Sequence, residues 1–212
     1  PLMRISKCQI QISFGRTPGG HQKYRLKKQW KIYLITGESA LLPVRGFCRD
    51  KTMKDFLVIG ESCVDVFCYG DCKRLCPEAP APVFNPVDYK ENGGMSKNVY
   101  ENIIALGYHC DIITNDNWKE ITKTRYIHKA TNQMFIRVDS GDDKINRCNV
   151  YDIDFSEYKI IIISDYCKGF LMEEDIDYIA SNHNCVFLDT KKDLGLWCKN
   201  VTFIKINNIE YE

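Results

Sequence analysis

The sequence predicts an α/β layered domain with a small β-flap beside it. Three observations carry this: short apolar runs alternate with helical segments from Met53 onward, those runs are nearly continuous in hydrophobicity, and two later segments alternate polar and apolar residues. Continuous apolar strands call for a sheet covered on both faces, whereas a period of two leaves one face in water.

Taken in order, Asp55–Gly60 is the first apolar run, and Cys110–Thr114, Lys159–Ser164, Cys185–Asp189 and Val201–Ile206 follow it as comparable β-rich runs. Ser96–Leu106 places Val99, Ile103 and Leu106 at helical spacing behind Ser96 as a cap, with Gly107 as the stop. Glu173–Asn182 opens with three acids, which suit the positive end of a helix dipole. Thr122–His128 and Gln133–Ser140 flank the connection Lys129-Ala130-Thr131-Asn132 and read as a β-hairpin. Pro77–Val87 is proline-spaced and extended, which fits only an edge or a rim.

Charge divides the chain. Residues 1–52 hold 11 Lys and Arg against two acids, while residues 53–212 hold 18 against 26, so a basic appendage precedes an acidic domain. A basic arm suits nucleic acid or an acidic surface, but no base-reading motif accompanies it. The favoured reading is a tail without fixed structure, or sequence joined ahead of a start at Met53, and nucleic acid is not expected as a partner. No apolar run reaches the length of a membrane span and no signal sequence opens the chain, so the expected address is the cytoplasm, away from membranes. The eleven cysteines are odd in number and scattered, as reduced thiols would be. Cys68, Cys72 and Cys76 lack the second ligand pair of a zinc site, so packing is their expected role.

Polar and glycine residues stand at the predicted strand ends, where open α/β sheets bind ligands. Asp65 follows the first strand, Gly93-Gly94 precedes a helix with Asn98 one turn in, and Ser164-Asp165-Tyr166 and Asp189 close later strands. A Gly-Gly turn lets backbone approach a ligand closely, although plain turn chemistry also explains it.

The order of the motifs is more specific than any one of them. FLVIGESCVD, CPEAPAPVF, NGGMSKNVYENIIALG, ITKTRY, MFIRVD, IISDYCKGFL, FLDTKK and IKINNIEYE succeed one another from residue 53 onward. In this the chain resembles the PfkB/ribokinase family of carbohydrate kinases, and within it the kinase domain of bifunctional heptose-7-phosphate kinase/ADP-heptose synthases. The resemblance covers residues 53–212, the N-terminal part of such a domain, and excludes 1–52. It implies a three-layer α/β/α ribokinase-like sandwich with a β-flap, incomplete at the C-terminus, and an ATP- and Mg²⁺-dependent kinase acting on a small-molecule sugar phosphate.

The resemblance further implies residue roles. Asp65, Gly93, Gly94 and Asn98 would hold sugar hydroxyls, and Arg137 and Asp139 of the flap would enclose the substrate. Lys123 and Arg125 would neighbour the sugar or its phosphate, with cross-strand pairing to flap acids as an equal alternative. Asp165 and Lys168 are expected on the substrate side and Asp189 and Lys191 on the ATP side, with strand-end turn and capping structure as the alternative for Asp165, Lys168 and Asp189. Asn207 and Glu210 match an Asn-x-x-Glu pattern that organises magnesium, or else start a solvated helix. Flaps of this family also form homodimer contacts.

Two departures stand against these matches. Asn115–Glu120 is a short polar link where the family has a helix and a strand, and no Gly-x-Gly-Asp anion hole occurs in the chain. The general base is expected beyond Glu212, so no catalytic residue is assigned and the chain is expected to be inactive alone. The alternative reading is a non-catalytic sugar-phosphate-binding or oligomerisation module.

Overall fold

The structure, a computed structural model, describes residues 53–206 and, ahead of them, the backbone of strands at 6–8 and 31–34. Its strands are β1 (Ser6–Cys8), β2 (Lys31–Leu34), β3 (Lys54–Gly60), β4 (Ser62–Leu75), β5 (Pro82–Met95) and β6 (Cys110–Ile113), then β7 (Thr122–His128), β8 (Met134–Ser140), β9 (Tyr158–Asp165), β10 (Val186–Thr190) and β11 (Phe203–Ile206). Two α-helices accompany them, α1 (Ser96–Ala105) and α2 (Glu173–Asn182).

The strands form two sheets. One has the order β1-β2-β11-β10-β9-β3-β6 and the other β5-β4-β7-β8. Strands β6, β3, β9, β10 and β11 run parallel, as expected of apolar runs joined through crossovers, and β2 joins the outer edge of β11 antiparallel. Two short strands of the basic appendage thus extend the parallel sheet, and the rest of residues 1–52 lies outside the described residues.

Alternation along the central strands covers both faces. Leu57, Ile59, Ile161 and Ile163 pack with Ile176 and Ile179 of α2, while Val58 packs on the other face with Ile103 of α1, joined by Val99 and Ile162. Helix, sheet and helix make the three layers that the sequence predicts. The first turn of α2 is fastened by Asp175, which accepts bonds from Met172 N–H and from both Nε and Nη2 of Arg147.

The flap is larger than the predicted hairpin. Its hairpin is present as β7 and β8, but β4 and β5 are 14-residue strands that pair along most of their length and hold the hairpin through the parallel β4–β7 ladder. Mixed polar and cysteine content hid β4 as a strand. The extended proline-spaced segment enters β5, an edge strand, from Pro82.

Ser96 does not cap α1. Met95 holds the cap position with φ 58°, and the Ser96 hydroxyl instead donates to Gly60 O at 2.8 Å and lies 2.7 Å from the Ser62 hydroxyl. Gly107 does stop the helix, with φ 86°.

Core burial predicts a sharp contrast in stability. Ile161→Ala, at a fully buried central position, should cost about 2–5 kcal/mol in urea unfolding, whereas Leu196→Ala, at a side chain 84% exposed, should stay within about 0.5 kcal/mol. Equal losses for the two would place the core elsewhere.

Candidate functional site

The chain crosses from the parallel sheet into the flap at Gly60-Glu61-Ser62, between β3 and β4. Gly60 lies so close to β9 that a Cβ there would stand 2.0 Å from Ser164 O, so only glycine fits. Glu61 follows it and is fully buried. Its two carboxylate oxygens accept the backbone N–H groups of Tyr166 and Lys168, each at 2.9 Å. A buried charge needs such partners, and this one holds the loop at the carboxyl end of β9 against the end of β3.

Between that loop and the flap lies a cluster of charged side chains, the mouth of the candidate site. Asp65 on β4 receives Arg125 Nη1 of β7 at 2.7 Å, and Arg125 also lies over the Phe67 ring at 5.1 Å. Gly94 on β5 makes room beneath: a Cβ there would meet Cys63 Sγ at 2.5 Å and Asp65 Oδ2 at 3.0 Å. Burial pushes the Cys63 thiol up to about 12, which leaves it protonated and unreactive under Asp65.

Lys123 is the most buried cation of the flap, 5% exposed. Its ammonium reaches Asp139 on β8 at 3.3 Å and Asp142, just beyond β8, at 2.8 and 3.0 Å. Asp139 in turn is gripped by Arg137 through Nε and Nη2, at 2.7 and 2.9 Å. Asp142 also receives Lys168 of the β9–α2 loop at 2.9 Å. One chain of charges, Arg137–Asp139–Lys123–Asp142–Lys168, therefore spans from the flap to the parallel sheet. Burial alone would raise Asp139 and Asp142, but hydrogen bonds from Arg137, Lys123 and Lys168 outweigh it and hold both below the usual carboxylate range. Tyr166 completes the mouth: burial first, then the charges of Asp189 and Asp65, push its phenol up to about 12.

Asp65, Gly94, Lys123, Arg125, Arg137, Asp139 and Lys168 are thus brought together. Lys123 and Arg125 pair with flap acids, which is the cross-strand alternative. Gly93 lies under Lys97 and Glu101, and the exposed Asn98 bonds along α1 to Asn102 instead of joining the cluster. Asp165 is a buried structural group: it receives Lys192 Nζ at 2.7 and 2.8 Å, the Thr190 hydroxyl and Cys167 N–H. Asp189 pairs with Lys205 on β11, and Lys191 donates its backbone N–H to Asp165 O. Asn207 and Glu210 lie outside the described residues.

Glu61, Asp142 and Lys192 were not singled out in the sequence. A charged residue directly after a buried strand was the available signal for Glu61. Asp142 sits in Gly141-Asp142-Asp143-Lys144, which reads as a turn. The short link Asn115–Glu120 bounds a cleft of about 290 Å³, lined by Thr114, Asn115, Asn117, Asn146, Arg147 and Phe170 among others. Buried Asn115 closes its inner end by accepting Ser62 N–H at 2.8 Å.

The charge chain predicts acid sensitivity confined to the flap. Asp139 and Asp142 have folded pKa values below the ordinary 3.8, so their stabilisation is present above that pH and is lost as pH falls through the folded values. Deuterium uptake at β7 and β8 amides should rise, beyond the intrinsic trend, as pH drops below about 3.8, and Asp139→Asn/Asp142→Asn should abolish this step. A step that persists in the double variant would assign it to other groups.

No family model matches the chain. Among the solved structures it is similar to, a carbohydrate kinase from Agrobacterium tumefaciens is 11% identical with a TM-score of 0.43, covering 64% of this chain and 54% of that one. Arabidopsis thaliana ribokinase complexed with ribose and ATP is 8% identical with a TM-score of 0.45, covering 67% and 55%. Curated sequence relatives include the bifunctional protein HldE of a Nitratiruptor species, 29% identical over 187 residues, which are 73% of this chain and 40% of that protein. The HldE protein of Helicobacter hepaticus is 32% identical over 173 residues, 64% of this chain and 36% of the relative, and that of Helicobacter pylori 30% over 199 residues, 76% and 42%. The chain spans about two fifths of the length of the curated relatives it matches. It is a homologue of the HldE bifunctional proteins.

Proposed function

We propose that this chain forms the sugar-phosphate side of an ATP-dependent carbohydrate kinase whose acceptor is a heptose phosphate. The observation that carries the reading is the convergence of Asp65, Gly94 and the Lys123–Asp142–Lys168 bridge at one mouth, at the carboxyl ends of parallel strands. Homology to the HldE proteins and the resemblance in motif order support it.

Each residue has a definite task in this reading. Asp65 accepts hydrogen bonds from sugar hydroxyls through the oxygen that Arg125 leaves open, and Arg125 fixes its orientation. Gly94 keeps the floor of the mouth low enough for the ring. Lys168, on a loop held by Glu61, presents a cation to the phosphate. Tyr166 keeps its phenol protonated and donates a hydrogen bond at the rim.

ATP supplies the γ-phosphoryl group when bound. Lys191 and Lys205 beside Asp189 have the charge that a nucleotide phosphate requires. Asn207 and Glu210, in Asn-x-x-Glu spacing, are the proposed holders of Mg²⁺. A homodimer through the flap belongs to the same proposal, supported by Met134, Phe135, Ile136 and Val138 of the edge strand β8, all exposed.

The test is titration of the chain with heptose 7-phosphate by calorimetry, followed by transfer of labelled γ-phosphate from ATP with Mg²⁺. Binding should weaken about 10- to 100-fold in Asp65→Asn, the loss expected for hydrogen bonds to a charged acceptor. Equal binding by Asp65→Asn, or no binding of any sugar phosphate, would contradict the reading. Since the chain is expected to be inactive alone, transfer is read in a version extended to the end of the reading frame: transfer there supports the kinase, and binding with no transfer there would favour a sugar-phosphate-binding module.

A further inference from the structure

Two lysines from separate segments, Lys123 on β7 and Lys168 on the β9–α2 loop, converge on one carboxylate. Lys123 Nζ lies 2.8 and 3.0 Å from the oxygens of Asp142, and Lys168 Nζ lies 2.9 Å from Oδ2. Two ammonium groups so close repel each other unless an anion stands between them. Lys123 is 95% buried, so water does little of that screening, and the nearby Asp139 contacts only Lys123 of the two. The Asp142 carboxylate therefore stands at a position that two ammonium groups from separate segments both face.

The two cations differ in reach. Lys123 keeps Asp139 as a partner whatever Asp142 does, and it stays inside the flap. Lys168 has a side chain 37% exposed and stands on the loop that Glu61 fixes through the N–H groups of Tyr166 and Lys168. Asp142 follows Gly141, which has φ 83°, in a short turn between the flap and the rest of the chain. Among the described residues its carboxylate is held by Lys123 and Lys168, so an anion of higher charge competes with it for the same two ammonium groups.

We infer that Asp142 occupies the binding position of a phosphate monoester and that a phosphorylated ligand enters the mouth by displacing Asp142 from Lys168. A phosphate offers three strong acceptor oxygens and more charge than a carboxylate, so it can take over both ammonium groups at once. A neutral sugar has nothing to offer in exchange, and Asp142 stays in place against it. Asp142 is thus a specificity residue: it makes entry conditional on the phosphate. This inference rests on the sugar-phosphate reading for the identity of the ligand, though not for the existence of the anion position.

The experiment titrates the full chain, as wild type, Asp142→Asn, Lys168→Met and the Asp142→Asn/Lys168→Met double variant, with inorganic phosphate, heptose 7-phosphate and the unphosphorylated heptose. Asp142→Asn should bind inorganic phosphate about tenfold or more tightly than wild type, and the double variant should lose that gain. Lys168→Met, which leaves the Lys123–Asp142 pair intact, should bind phosphate more weakly than wild type. Asp142→Asn should also bind unphosphorylated heptose no better than wild type does. Equal phosphate affinity in wild type and Asp142→Asn, or a gain that survives Lys168→Met, would overturn the inference. Should Asp142→Asn loosen the flap, seen as deuterium uptake at β7, the Lys168→Met comparison decides alone. A phosphate gain without any sugar-phosphate binding would sink the kinase reading and leave the anion position standing; sugar-phosphate binding without the gain would do the reverse.

Discussion

A lysine ammonium that is 95% buried stays charged only if acids replace the water it has lost, because an unpaired ion in a protein interior costs several kcal/mol. Lys123 meets this condition with two carboxylates, Asp139 across the β7–β8 ladder and Asp142 beyond its end. The requirement reaches past the flap, because Asp142 is shared with Lys168 of the loop that follows β9. Satisfying one buried charge thus sets where the four-stranded sheet stands over the strand ends. Placement of Asp65 follows, since Arg125 sits two residues along the same strand as Lys123 and holds it.

A buried charge of opposite sign works on the other side of the mouth. Two backbone N–H groups of the 166–168 loop satisfy Glu61, in place of the lysine or arginine that a buried carboxylate often takes. It stands where the chain leaves one sheet for the other, next to a glycine that no other residue can replace for want of space. Loop, strand end and flap are therefore joined at one point, and the surrounding hydrophobic layers hold that point still. Positioning of this kind is what the proposed phosphoryl transfer would ask of the chain.

Much of the fold was legible because hydrophobicity alone decides it. The five parallel strands are apolar runs covered on both faces, and α2 begins and ends where its acids and its pattern place it. Strand β4 was not legible: Ser62–Leu75 mixes cysteines, charges and a glycine, and its strand character comes from pairing with β5 and β7 rather than from its own composition. Ser96 looked like a cap, but Met95 adopts a positive φ and turns the hydroxyl back towards Gly60. At the site, residue types announced a cluster but not its wiring. Lys123 and Arg125 could be read as ligands or as partners of acids, and only register and the third dimension assign Asp142 to two lysines at once.

The most direct measurement of this account is a double-mutant cycle of Lys123→Met and Asp142→Asn, read as the local opening free energy of the flap by native-state hydrogen exchange. If the buried ammonium organises the mouth, the two substitutions should couple by about 0.5–3 kcal/mol, since each alone takes one counter-charge from its partner and leaves it only Asp139 or Lys168. Additivity within about 0.3–0.5 kcal/mol would mean that the pair does not hold the flap, and the account would be wrong.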